Sequence, residues 1–346
     1  MYINFMIQKN KDIYFSYWLL LITFLVGLMI FVGGLTRLTD SGLSITRWDL
    51  FTGILPPITN NEWEKLFLLY QQIPEYKLIN YSMSLEEFKP IFWWEYIHRL
   101  LGRIIGLFYL IPLLFFTIKK NIKKKTLIFL YIIFILILFQ GFIGWYMVKS
   151  GLTERVDVSH YRLAMHLTLA FIIYTLVLWN YIKYTYTKIP KSNKSLPTFL
   201  PFLLTFCLLI QICIGALVSG LDAGQIYNTW PLMNNNYFPD DSFIKDLFTK
   251  KVLETPSIIQ FIHRNMAYLI VLLFCYILLI VFNDKNFTYL RKNILLILLL
   301  IFLQIFLGII TLLSGVNIIL ASMHQIGSIF LISASLLLLF KNYKTN

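Results

Sequence analysis

Eight apolar runs, near 15–36, 93–118, 126–148, 160–182, 197–219, 257–282, 294–315 and 319–340, set what this chain can become. A helix rises about 1.5 Å per residue, so a run of roughly 20 residues crosses a hydrocarbon layer about 30 Å thick. Inside lipid each backbone donor and acceptor must find a partner within the protein, which for such runs means a helix. The sequence predicts an all-α integral membrane protein with eight transmembrane helices. Its 58% hydrophobic content agrees, because soluble domains are nearer half.

The net charge of +13 suggests nucleic acid at first sight. The positions of the charges exclude that reading. Short connections at Lys119 to Lys125, Lys183 to Lys194 and Lys285 to Lys292, with both termini, carry sixteen Lys and Arg against only Asp12 and Asp284. By the positive-inside rule this side is cytoplasmic. The longer loops, about 37–92 and 220–256, then face outward, and Trp63-Glu64-Lys65-Leu66-Phe67 predicts a short interfacial helix in the first. The expected location is the bacterial inner membrane, with the bilayer as surroundings and no nucleic-acid partner. Cys207, Cys213 and Cys275 all fall within apolar runs, so they predict neither a disulfide framework nor a thiolate metal site. The N-terminus shows neither a cleavable-signal pattern nor an Arg-rich transit pattern.

The chain repeats itself after four spans. Gly33-Gly34-Leu35 answers Gly215-Ala216-Leu217, His98-Arg99 answers His263-Arg264, Gln140 to Gly144 answers Gln304 to Gly308, and His166 answers His324. Four is even, so both copies enter the membrane in the same sense. The repeat predicts two four-helix bundles, 1–190 and 191–346, related by a pseudo-twofold axis along the membrane normal.

Four of the five histidines occupy repeat-related places, in the outward halves of their spans. A single intramembrane histidine often does no more than hydrogen-bond a neighbouring helix. Four in register, two per bundle, instead fit an iron porphyrin clamped between helices with one axial ligand from each side. The residue four positions after each is small: Gly102, Ala170, Ala267 and Ser328. Zinc fits poorly, with no H-E-x-x-H, no cysteine ligand and two histidines per bundle. His160 lies six residues before His166, about 120° round the helix, and reads as interfacial. Arg99, Arg103 and Arg264 carry two readings, interface anchors or partners of porphyrin propionates, and Arg37, Arg47 and Arg162 are weaker candidates of the same kind. Gly102-x-x-x-Gly106 reads as a helix-packing pair.

Glu95 separates the halves. It lies one turn before His98, whereas Gln260 lies one turn before His263. A solvated or Arg-paired interfacial acid is the plain alternative. Two paired-histidine sites, one with an acid beside it, point to one haem that carries electrons and one haem position where chemistry occurs.

These residues resemble haem A synthase of cytochrome oxidase assembly over nearly the whole chain. The resemblance rests on Gly33 to Ser44, Glu95 to Arg103, Gln140 to Leu152, Asp157 to Leu167, Gly220 to Gly224, Asn228 to Met233, His263-Arg264 and His324-Gln325. It is nearest the alphaproteobacterial and mitochondrial branch, and the loop cysteine pair of the Gram-positive branch is absent. The resemblance implies oxidation of the C8 methyl of haem O to a formyl group by successive hydroxylations. It implies haem b between His263 and His324, with Arg264 nearby. It implies haem O between His98 and His166, with Arg99 and Arg103, and Glu95 as the catalytic acid. Haem O synthase and a membrane or periplasmic electron donor would be its partners. A bis-histidine b-type cytochrome explains the histidines but gives Glu95 no task, and a transporter with histidine proton relays requires no haem.

Overall fold

The computed structural model describes residues 2–48, 52–120, 122–153, 155–186 and 194–345, with residues 2–12, 52 and 345 as backbone. Part of the basic connection from Lys183 to Lys194, residues 187–193, lies outside the described residues. Among the described residues the chain forms ten α-helices and no strand: α1 (Tyr2–Leu38), α2 (Asn60–Tyr70), α3 (Pro74–Leu78), α4 (Leu85–Ile118), α5 (Lys124–Gly151), α6 (His160–Thr185), α7 (Phe199–Gly220), α8 (Pro256–Asn283), α9 (Thr288–Leu313) and α10 (Ile318–Thr345). Eight are long and apolar enough to cross a membrane. The eight-span expectation holds, and α2 includes the short helix predicted around Trp63.

The first half of α4 shows how local sequence sets a boundary. Ser84 Oγ accepts from the Glu87 amide, and the Glu87 carboxylate accepts from the Ser84 amide, closing a capping box. The helix therefore begins eight residues before the apolar run starting at 93. Its extra turns carry Phe88 and Phe92 into a cluster with Leu43, Trp63, Tyr70, Ile73, Tyr96 and Val148. This small core fixes the first loop onto the helix that bears His98. Within the loop, burial pushes the Glu75 carboxyl up to about 8, so it stays largely uncharged at neutral pH.

The chain divides into two compact units. One is Leu21–Ile173, and the other is Met1–Leu20 with Tyr174–Asn346, so α1 and α6 contribute to both. In the second unit polar side chains tie the helices at depth. Thr205 and Ser335 share a hydroxyl hydrogen bond of 2.8 Å, and Asn293 donates to the Ala334 carbonyl at 3.0 Å. Burial follows one order in the two sets of four spans. The buried share runs 39, 22, 17 and 44% along the first four and 33, 22, 17 and 44% along the last four.

Candidate functional site

His98 on α4 and His166 on α6 face each other with ring centroids 6.4 Å apart. One metal ligated by two imidazole nitrogens, each about 2 Å away, puts the ring centres roughly 6 Å apart. The pair is thus spaced for an iron between the rings. His263 on α8 and His324 on α10 form the second pair, within electrostatic reach of each other. All four are half-buried.

A glycine from a third helix or a neighbour sits against every ring. A Cβ at Gly33 would lie 3.0 Å from His98 Nε2, and one at Gly144 would lie 3.0 Å from His166 Cε1. At Gly215 it would lie 3.2 Å from His263 Cε1, and at Gly308 3.0 Å from His324 Cε1. A methyl group at any of the four would be in tight contact and would require the ring to give way by a few tenths of an ångström. Gly308→Ala favours the helix by roughly 0.5–1 kcal/mol yet overpacks the ring by about 1–3 kcal/mol. The expected outcome is a folded protein with haem content at the second pair lowered several-fold, measured as the haem-to-protein ratio after purification. Full occupancy in this variant would show that ring placement tolerates the methyl group.

Glu95 and Gln260 occupy equivalent clips. Glu95 is 2% exposed. Its Oε2 accepts from Ser44 Oγ and the Ile45 amide, both at 2.7 Å. Its Oε1 accepts from Arg99 Nε at 3.0 Å and Nη2 at 2.6 Å. Arg99 continues to the Ile45 carbonyl at 2.8 Å and the Arg47 carbonyl at 3.0 Å, and its guanidinium covers the Trp48 ring at 4.7 Å. The second clip reverses the polarity. Gln260 Nε2 donates to the Ala223 and Ile226 carbonyls at 2.8 and 2.6 Å, and Gln260 Oε1 accepts from Arg264 Nη2 at 2.9 Å. Arg264 Nη2 also donates to the Tyr227 carbonyl at 2.9 Å. One loop offers donors and takes a carboxylate, and the other offers acceptors and takes an amide. The four acceptor positions of Glu95 are all filled, so the arrangement suits a fixed anion.

The other expected residues fall as follows. Arg103 is part-buried one turn beyond Arg99. Arg162 lies over the Tyr146 ring at 3.6 Å and donates to its carbonyl at 2.6 Å. Arg37 pairs with Asp40 at 2.7 Å, and Arg47 contributes a carbonyl to the Glu95 clip. His160, expected at the interface, is 7% exposed at the start of α6, with its ring 4.1 Å from that of Tyr161. The packing pair at Gly102 and Gly106 is half present. A Cβ at Gly102 would meet Met29 Cε at 3.3 Å, whereas at Gly106 it would meet nothing within 4 Å. Sequence reasoning passed over Ser44 and Gln211. Gln211 was detectable, since Gln-x-x-x-Gly recurs at 140, 211 and 304.

The helices and the two histidine pairs define a polytopic helical membrane protein with paired-imidazole sites suited to iron porphyrins. The chain belongs to the COX15-CtaA family of cytochrome oxidase assembly proteins, whose family profile matches residues 16–336. It is 54% identical over 340 residues to the "Heme A synthase" of Pelagibacter ubique strain HTCC1062, covering 96% of this chain and 98% of that one. It is 44% identical over 330 residues to that of Rickettsia bellii strain RML369-C, covering 94% and 96%. It is 42% identical over 317 residues to that of Sinorhizobium fredii strain NBRC 101917 / NGR234, covering 90% and 85%.

Proposed function

We propose that this protein is a haem A synthase. It oxidises the C8 methyl of haem O first to the alcohol and then to the geminal diol. Each hydroxylation consumes one dioxygen, two electrons from the donor and two protons, placing one oxygen atom on the carbon and releasing the other as water, and the diol loses water to leave the formyl group. The observation that supports this most is the His98–His166 spacing of 6.4 Å with a Glu95–Arg99 ion pair one turn away, set against a second pair where an amide takes the place of the carboxylate beside Arg264. His98 and His166 hold haem O. His263 and His324 hold haem b, which when bound supplies one-electron transfer. Arg103, part-buried one turn beyond Arg99, is the cation this reading gives to a propionate of haem O, and Arg99, bonded to Glu95 and to loop carbonyls, flanks the same site. Arg264, the counterpart of Arg99, is bonded to Gln260 and to the Tyr227 carbonyl and flanks the haem b site in the same way. Glu95 acts on the reaction by holding Arg99 and the loop at Ser44 and Ile45, one turn from His98.

In this reading the halves 1–190 and 191–346 are parallel four-helix bundles related by a pseudo-twofold axis, and both termini are cytoplasmic. The protein sits in the bacterial inner membrane with both haem sites toward the periplasm. Haem O synthase supplies its substrate, and a membrane or periplasmic donor supplies electrons. The test is pigment extraction from a host that makes haem O but no haem A. Haem A, or its hydroxylated intermediate, beside haem b is the expected result. Haem b with unaltered haem O would overturn the proposal in favour of an electron-carrying cytochrome.

A further inference from the structure

Three of the four histidines are held by a glutamine on an adjacent helix. Gln140, Gln211 and Gln304 each stand one turn before the glycine that touches the ring. Each donates from Nε2 to the main-chain carbonyl of the histidine, at 3.0 Å to His166, 3.0 Å to His263 and 2.8 Å to His324. Gln140 and Gln211 also reach a ring nitrogen, at 3.2 and 3.4 Å. His324 Nδ1 lies 3.1 Å from the Gln304 carbonyl. A carbonyl already bonded within its helix is thereby pinned a second time, and the ligand's backbone is fixed. The Oε1 atoms of all three glutamines are buried without a partner, and helix packing alone does not require a half-satisfied amide at three equivalent places.

The fourth place is occupied by Met29, one turn before Gly33. Its methyl lies against Gly102, and a thioether cannot donate a hydrogen bond. Among the described residues no side chain hydrogen-bonds the ring or the carbonyl of His98. The ring orientation differs as well. The other three rings present Cε1 to their glycine, whereas His98 presents its Nε2–Cδ2 edge to Gly33.

We infer that His98 is the exchangeable ligand of the substrate site, and that Met29, standing where the other three sites have glutamine, leaves it exchangeable. This rests on the reading of His98 and His166 as the haem O pair. An iron held by two locked imidazoles has no position for a third ligand. The resident site is locked on both sides and suits electron transfer. The substrate site is locked only at His166, so a position can open on the His98 face. Met29 is a positioning residue in this scheme.

Carbon monoxide is the probe, added to reduced, haem O-loaded wild-type protein, Met29→Gln and Gln211→Met, with haem content measured in each. In the wild type, CO is expected to bind about one of the two haems. Met29→Gln is expected to lower that CO-reactive fraction about fivefold at unchanged haem content, and Gln211→Met to make the resident haem CO-reactive. Unchanged CO binding in fully loaded Met29→Gln overturns the inference. If that variant takes up no haem O, Gln211→Met decides alone, and a CO-silent resident haem then overturns it. His98→Ala separates the two layers: full haem O binding with unaltered CO reactivity would remove His98 as a ligand and defeat the underlying assignment.

Discussion

Alanine at His263 or His324 is expected to strip the resident haem b from the purified protein. Each imidazole is one of two axial ligands, and even the outer partners of metal ligands contribute roughly 10–100-fold to affinity. Haem b per protein should therefore fall by more than about tenfold, read from the reduced-minus-oxidised spectrum. His98→Ala and His166→Ala should leave that signal in place, because their rings belong to the other pair. The fold should survive all four changes. The histidines are only half-buried, so truncating one removes a ligand more than it removes packing. An unchanged spectrum in His263→Ala would show that the resident haem lies elsewhere.

The second large effect is expected from exchanging the two clip residues. Glu95→Gln sets an amide against donors on both sides. If its oxygen turns to Ser44 and Ile45, its NH2 meets Arg99; if it turns the other way, the NH2 meets the Ile45 amide. An unsatisfied buried donor costs about 1–3 kcal/mol. Glu95→Ala should cost more, about 3–5 kcal/mol, because it leaves the Arg99 charge without its partner. Gln260→Glu makes the reciprocal error, facing a carboxylate with the Ala223 and Ile226 carbonyls. Haem A formation in Glu95→Gln should fall on the order of a hundredfold, the factor that about 3 kcal/mol implies, while haem b stays bound. Gln260→Glu should instead lose haem b. A positioning role also predicts that the residual activity of Glu95→Gln keeps the wild-type shape of its pH profile. A lost limb of that profile would return Glu95 to the role of proton carrier.

This sharpens what the Glu95/Gln260 contrast means. In the sequence it reads as chemistry at one site and its absence at the other. In the folded chain both residues do the same mechanical task, an i,i+4 link to an arginine and a loop, and the difference follows the backbone groups each loop presents. Apart from the Ser44 hydroxyl, that signal is not in the side-chain pattern, because whether residue 45 or residues 223 and 226 turn N–H or C=O toward the clip depends on backbone dihedrals. Arg99 illustrates the same limit. Headgroup, propionate and Glu95 itself were all legible as partners from its place at a membrane edge, and the fold bonds it to Glu95 and to the 45 and 47 carbonyls.

The sequence by itself determined the eight helices, their approximate limits and the pairing of histidines by repeat. Lipid leaves a long apolar run one conformation, and a four-span repeat puts equivalent residues in equivalent surroundings. Tertiary structure decided which glycines face the rings, that only Gly102 of the expected packing pair meets a neighbour, and that Gln211 joins Gln140 and Gln304 while Met29 does not. Those outcomes depend on helix rotation and on ångström-scale approach between helices, which hydrophobic periodicity leaves open because nearly every face of these spans is apolar.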